Sequence, residues 1–193
     1  MITLPAIPHP RSMTIVPVSN VNELRSAFGG ALQRIQRKGT TFKADFELPP
    51  MRYVDALTWV GLDVEADTVL MGVPQPGVTM GNPGAPLVNG ASQAGTSLIL
   101  DGLSPQYVIA AGTFLSVVTS SRRYLYRASA DVVADASGNA TVALTTMLRT
   151  SPANNDVVEI AEPKIEGYAR VTNGWSVDIA RTVGLAFMIE ERG

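Results

Sequence analysis

The stretch Thr41-Phe42-Lys43-Ala44-Asp45-Phe46-Glu47-Leu48-Pro49-Pro50-Met51 carries the fold, with Asp55-Ala56-Leu57-Thr58-Trp59 following it. Apolar and polar residues alternate up to Leu48, so every second side chain faces a core, as in a half-buried strand. The two prolines end it. Pro49 has no N–H to give to a ladder, and Pro50 already holds a helical φ, so the chain leaves a sheet and starts a helix within two residues. Val54, Leu57 and Val60 then fall three apart with Trp59 beside them, which predicts a short amphipathic helix. This corner holds no nucleophile, base or metal-ligand set, and reads as scaffold.

The segments before the corner extend the pattern. Pro5, Pro8 and Pro10 forbid a central strand and predict an extended arm over Met1–Pro10. Ser12–Val18 alternates, with Met13, Ile15 and Pro17 on one face. Asn20–Phe28 reads as a helical turn ended by Gly29-Gly30, and Ala31–Arg37 alternates again before the Lys38-Gly39 turn.

After Trp59 the helix is expected to fray over Gly61–Ala66, and Thr68–Val73 reads as a buried strand. Pro74–Pro86 then holds four prolines and three glycines, a linker or long ordered loop, and a domain boundary is placed there. Beyond it, strands are expected at Leu87–Asn89, Ser97–Leu100, Thr113–Val118, Tyr124–Val133, Ala140–Leu144 and Asp156–Ile160, the strand density of a small barrel or sandwich. Asp135-Ala136-Ser137-Gly138-Asn139 is the hairpin signal between two β-branched runs. Trp175–Ala180 and Val183–Ile189 close the chain as a strand pair that needs a sheet to join. The N-terminal segment alone is small for a stable core, so this pair is expected to return to it. The fold expectation is mainly β, with residues 1–80 and 165–193 in one domain and residues 84–163 inserted.

Composition narrows the function classes. Charged residues are 17% of the 193, and there are 17 glycines, 13 prolines and no cysteine. Without cysteine there are no disulfides, zinc-thiolate sites or thiol nucleophiles. No apolar run is long enough to span a bilayer, and no basic stretch with an apolar block marks a signal peptide at Met1. The net charge of −2 conceals a split: residues 1–52 carry seven Lys/Arg against three Asp/Glu, and the remainder eight against fourteen. Such a split either marks complementary faces that meet in an oligomer or is a chance bias of solvated surfaces.

No residue is assigned a catalytic, cofactor or metal role. His9, the single histidine, lies in the proline-rich arm without neighbouring ligand residues. The pair Glu190-Glu191 and the pair Asp131 with Asp135 have the residue types of acid–base catalysis, yet two carboxylates at a strand end read as solvated surface. Gly81-Asn82-Pro83-Gly84 and Gly90–Gly95 lack the Lys-Ser/Thr that completes a phosphate cradle, and read as turns. Trp59 and Trp175 sit among periodic apolar residues, as core or subunit-interface packing does, rather than as sugar platforms. Arg122-Arg123 beside Tyr124 and Tyr126 is an isolated basic pair in a net-acidic region, weak as a nucleic-acid signal.

A set of short motifs in order points further. Leu48-Pro49-Pro50-Met51 with Ala56 and Trp59, Gly90-Ala91-Ser92-Gln93-Ala94-Gly95-Thr96-Ser97-Leu98, Ile109-Ala110-Ala111-Gly112, Leu125-Tyr126, Asp135–Val142, Leu148-Arg149 and Pro163 resemble distal tail proteins of tailed bacteriophages. The resemblance runs from about Val18 to the C-terminus. It departs from the family where Thr113 follows Gly112 in place of an acidic residue, and where Thr146-Met147 replaces a double proline.

The resemblance implies a split-barrel-like ring domain with one short helix, carrying an inserted small β-barrel of OB-like or galectin-like type. It implies a structural virion protein, not an enzyme, with no cofactor. Its partners would be five further copies in a hexameric ring, the tail tube protein, and the baseplate hub with other tail-tip proteins. DNA would pass through the channel without specific binding, the inserted domain would offer a surface for host glycans, and the location would be the phage tail tip after assembly in the host cytoplasm. The alternative is a carbohydrate-binding β-module built on residues 87–160, or another minor tail or virion structural protein.

Overall fold

The computed structural model describes residues 1–25, 29–64, 67–173, 175–177 and 182–192. The chain is mainly β, with 47% of the described residues in strands and one short helix among them. In order the first strands are β1 (Ile2–Thr3), β2 (Ser12–Val18), β3 (Val21–Leu24), β4 (Gln33–Gln36), β5 (Thr41–Glu47), β6 (Met51–Arg52) and β7 (Val69–Gly72). Helix α1 (Tyr53–Ala56), continued by a 3-10 helix over Leu57–Asp63, lies between β6 and β7. The middle strands are β8 (Gly84–Val88), β9 (Ser97–Leu103), β10 (Val108–Ile109), β11 (Phe114–Thr119), β12 (Arg122–Arg127), β13 (Val132–Val133), β14 (Ala140–Ala143) and β15 (Val157–Glu159). The last are β16 (Lys164–Val171), β17 (Ser176–Val177), β18 (Thr182–Gly184) and β19 (Ala186–Glu191).

Two six-stranded sheets organise these strands, in the orders β1-β7-β16-β19-β5-β2 and β12-β11-β15-β8-β9-β14. The fold includes a sheet that curls as a half-barrel. The strands of the first sheet come from both ends of the sequence, with β16 and β19 in the middle of the sheet, while all strands of the second come from between β7 and β16. The path into the second sheet and the path out are joined where the Val73 N–H donates to the Pro163 carbonyl at 2.8 Å.

The alternation along β5 puts Phe42, Ala44 and Phe46 inward, and Phe187 and Ile189 of the antiparallel neighbour β19 meet them. Phe46 stacks on Phe187 with ring centroids 5.2 Å apart, and Trp59 lies over Phe187 at 5.8 Å. The double-proline corner therefore folds its helix back over the sheet and sets the indole against it. Ala56, Trp59 and Leu62 are the buried row. The row Val54, Leu57 and Val60 is turned to solvent: Val54 is 72% exposed, Leu57 49% and Val60 59%. From Leu57 the chain winds with three residues per turn, so rows three apart are straight, and the row containing the largest apolar side chain takes the core.

Several expected elements differ in detail. Asn20–Phe28 is not a helical turn as far as it is described: Val21–Leu24 pairs antiparallel with Gln33–Gln36, and residues 26–28 lie outside the described residues. Asn20 sets this, because its Nδ2 donates to the Lys38 carbonyl and its own carbonyl accepts the Arg37 N–H, closing the base of a hairpin. The Pro74–Pro86 segment is an ordered loop that runs into β8 at Gly84. Gly84 has φ +85°, and a Cβ there would lie 2.6 Å from the Gly102 carbonyl oxygen, so the bulged pairing of β8 with β9 requires glycine.

Tyr124–Val133 is two strands, broken where Ala128 bridges Leu144. The Asp135–Asn139 turn forms, its carboxylate accepting the N–H groups of Ser137 and Asn139, but it makes no hairpin. β13 pairs with β10 and β14 with β9, because turn chemistry fixes the local reversal and the apolar faces choose the partners. At the C-terminal end, β16 (Lys164–Val171) precedes the expected pair, and Val183–Ile189 divides at Leu185 between β18 and β19. Of the expected strand Trp175–Ala180, Ser176 and Val177 are in β17 and residues 178–180 lie outside the described residues.

Trp59 has no exposed surface, so Trp59→Ala should cost about 3–5 kcal/mol in urea unfolding. Trp59→Phe should cost less, since it also removes an indole N–H that finds no acceptor among the described residues. Equal losses for the two variants would contradict this packing.

Candidate functional site

The two sheets meet along one strand edge. β12 is an outer strand of the second sheet, and its outward N–H groups would be a template for another chain if left open. They are taken by carboxylates from the first sheet. Glu166 of β16 accepts the Arg123 N–H at 2.9 Å, and Glu191 of β19 accepts the Leu125 N–H at 2.9 Å. The other oxygen of Glu191 accepts the Phe42 N–H at 2.6 Å, so one carboxylate ties β5 to β12.

Arg149 completes the group, its Nη2 donating to Glu191 at 2.6 Å with the two side chains only 6% and 1% exposed. The guanidinium lies over the rings of Tyr124 and Tyr126 at 5.1 and 5.7 Å, and the Tyr126 hydroxyl accepts the Arg149 N–H. Gln75 adds a second stitch, its side-chain amide exchanging both hydrogen bonds with the Phe114 backbone.

The expectation that Glu190-Glu191 is a solvated pair is therefore corrected at Glu191. The signal was available in the sequence, because Phe187, Ile189 and Glu191 share the parity of the core face. Burial pushes the Glu191 carboxyl above the ordinary 4.5, and Arg149 with the Leu125 and Phe42 N–H groups pulls it back without cancelling the shift. A folded pKa raised this way makes the contribution of this titration largest at low pH and smaller as pH rises above 4.5. The pair thus positions the sheets.

Glu159 is the opposite case. Burial acts to raise it, yet the Ser116 hydroxyl, Arg123 and Lys164 together hold its carboxyl below the ordinary value.

The other residues singled out in the sequence stay apart. His9 is exposed, at the rim of a cavity of about 440 Å³ between the N-terminal arm and β7, lined by Leu4, Met71 and Val73 and edged by Glu162 and Lys164. Asp131 caps the Ala111 N–H at 2.6 Å and Asp135 organises its turn, so they form no acid–base pair. In the glycine-rich segments Asn82 accepts the Gly84 N–H, and Gln93 bonds the backbone of Asn89, Gly90 and Ile99, as turns do. Trp59 is core, and Trp175 donates its indole N–H to Asp63 at 2.8 Å. Arg123 is held by Glu159, and Arg122 lies over Tyr124 and donates to the Arg192 carbonyl, so both face the protein itself. Among the described residues no three His, Asp or Glu are grouped to hold a metal ion, and no helix is long and apolar enough to cross a membrane.

Among the described residues, two apolar surfaces stay exposed. One is the exposed row Tyr53, Val54, Leu57 and Val60 on the helical corner. The other is the β3–β4 hairpin, which exposes Leu24, Leu32 and Ile35 and contributes no residue to either core cluster. Against known protein families and curated proteins, the chain matches none.

Glu191→Gln sets an amide N–H against the donors of Leu125, Phe42 or Arg149 and leaves the guanidinium buried without an anion. It should cost about 3 kcal/mol or more in urea unfolding at neutral pH, and a change within error would remove the seam from the account. Glu159→Gln tests the other carboxylate. The native chain should lose Glu159's contribution as pH falls from 4.5 through the lowered folded value, and the gap between native and variant should narrow over that window. A gap independent of pH would contradict the assignment.

Proposed function

We propose that this chain is a ring-forming structural protein of the tailed-phage tail tip, a distal tail protein. Residues 1–80 with 165–193 form the ring domain, of split-barrel type, and residues 84–163 form a second β domain of OB-like or galectin-like type spliced into it. The carrying observation is the splice: the second sheet enters after β7 and leaves before β16, at one neck, from the middle of a sheet built by both chain ends. That arrangement agrees with what the ordered motifs imply. It also has a mechanical meaning, because the buried seam at Glu191 and Arg149 makes the two sheets one stiff body. A ring that joins a tube to a hub needs such a body, since compliant subunits would not repeat one closing angle.

In this reading six copies surround a channel that DNA traverses without specific contacts, one face meeting the tail tube protein and the other the baseplate hub. The second domain projects outward toward other tail-tip proteins or host glycans. Antibody labelling of particles that encode the chain should mark a single position at the distal end of the tail. Label on the capsid, along the whole tail, or absent from particles would contradict the proposal.

A further inference from the structure

The β3–β4 hairpin and the helical corner sit at opposite ends of one strand pair. β2 and β5 pair from Ser12↔Glu47 to Val18↔Thr41; the hairpin leaves from the Val18/Thr41 end and the corner from the Glu47 end. Seven residues at about 3.3 Å each separate the two by roughly 20 Å, so neither covers the other within one chain. Each nevertheless lacks a cover among the described residues. A two-stranded hairpin is marginal in water on its own, and this one carries Leu24 and Ile35 as diagonal neighbours on one face, with Leu32 beside them.

Their chemistry is complementary. Residues 19–38 carry four Lys/Arg against one Glu, and Arg25, Arg37 and Lys38 have no carboxylate partner among the described residues. Residues 51–67 carry four carboxylates against one Arg; Asp55 pairs with Arg52, Asp67 with the N-terminal amine, and Asp63 accepts the Trp175 indole N–H, which leaves the corner net acidic.

We propose that the hairpin of one copy seats on the Tyr53–Val60 face of the next. This rests on the reading of the chain as a ring subunit and names the two surfaces that meet. The contact is head-to-tail, so each copy offers one donor surface and one acceptor surface, and a suitable rotation closes the series. Basic residues of the hairpin come to lie along the net-acidic corner, so association weakens with salt.

The test is a pair of complementary variants. Leu24→Glu/Ile35→Glu removes the hairpin surface and Val54→Glu/Leu57→Glu removes the corner surface; all four positions are half exposed or nearly so, and circular dichroism with thermal melting checks that each variant folds. Each should self-associate at least about tenfold more weakly than the native chain in sedimentation velocity. Mixed, they should give a heterodimer and nothing larger, because one good surface remains on each. If both variants assemble like the native chain, or if the folded variants fail to form a heterodimer on mixing, the proposed contact is wrong. Assembly through other surfaces would overturn this contact and leave the ring reading standing; a salt-sensitive heterodimer from a chain absent from the tail tip would do the reverse.

Discussion

A single carboxylate holds the molecule in register. Glu191 takes a backbone N–H from β5 and one from β12, with the Arg149 guanidinium closing over it between two tyrosine rings. Most contact between the sheets is not a deep apolar core, since each has its own cluster and only Phe114 and Leu125 of the second sheet join the first. Polar groups with fixed geometry therefore define the angle between the sheets. Apolar surfaces slide at little cost, whereas a buried carboxylate that accepts from Phe42, Leu125 and Arg149 at once has one good arrangement. The raised carboxyl pKa is the cost of that choice, and its return is conformational definition.

The same logic explains why an outer strand can be buried. β12 would expose unpaired N–H groups at its edge, and Glu166 and Glu191 satisfy them without extending the sheet. The second sheet is capped and attached in one step. Beside it, Glu159 gathers Ser116, Arg123 and Lys164, so charged residues that appear scattered in the sequence converge on the seam.

Much of the fold was legible from local pattern. The alternation of Thr41–Leu48 stopping at Pro49-Pro50, the buried Thr68–Val73 run and the middle strands all follow from period and turn chemistry. What stayed hidden depended on choices between equivalent patterns. Val54-Leu57-Val60 and Ala56-Trp59-Leu62 have the same spacing, and only the volume of the indole in a three-residue winding decides which faces inward. The Asp135–Asn139 turn is visible, but not that its flanking strands part to different neighbours. Glu191 reads as surface because charge usually does, although its parity with Phe187 and Ile189 places it inside. The hairpin at Val21–Gln36 was obscured by a short polar segment whose pairing is set by Asn20 bonding across its base.

The functional account is of a stiff, two-sheet body whose unpaired surfaces lie at opposite ends of one strand pair, which is the geometry of a repeating assembly. Its central claim is that the chain acts by joining copies of itself. Native mass spectrometry across a wide concentration range, alone and with assembled tail tubes, tests this most directly. The account predicts one discrete closed species, at six times the 20.4 kDa chain mass. A monomer throughout, with and without tubes, would contradict it.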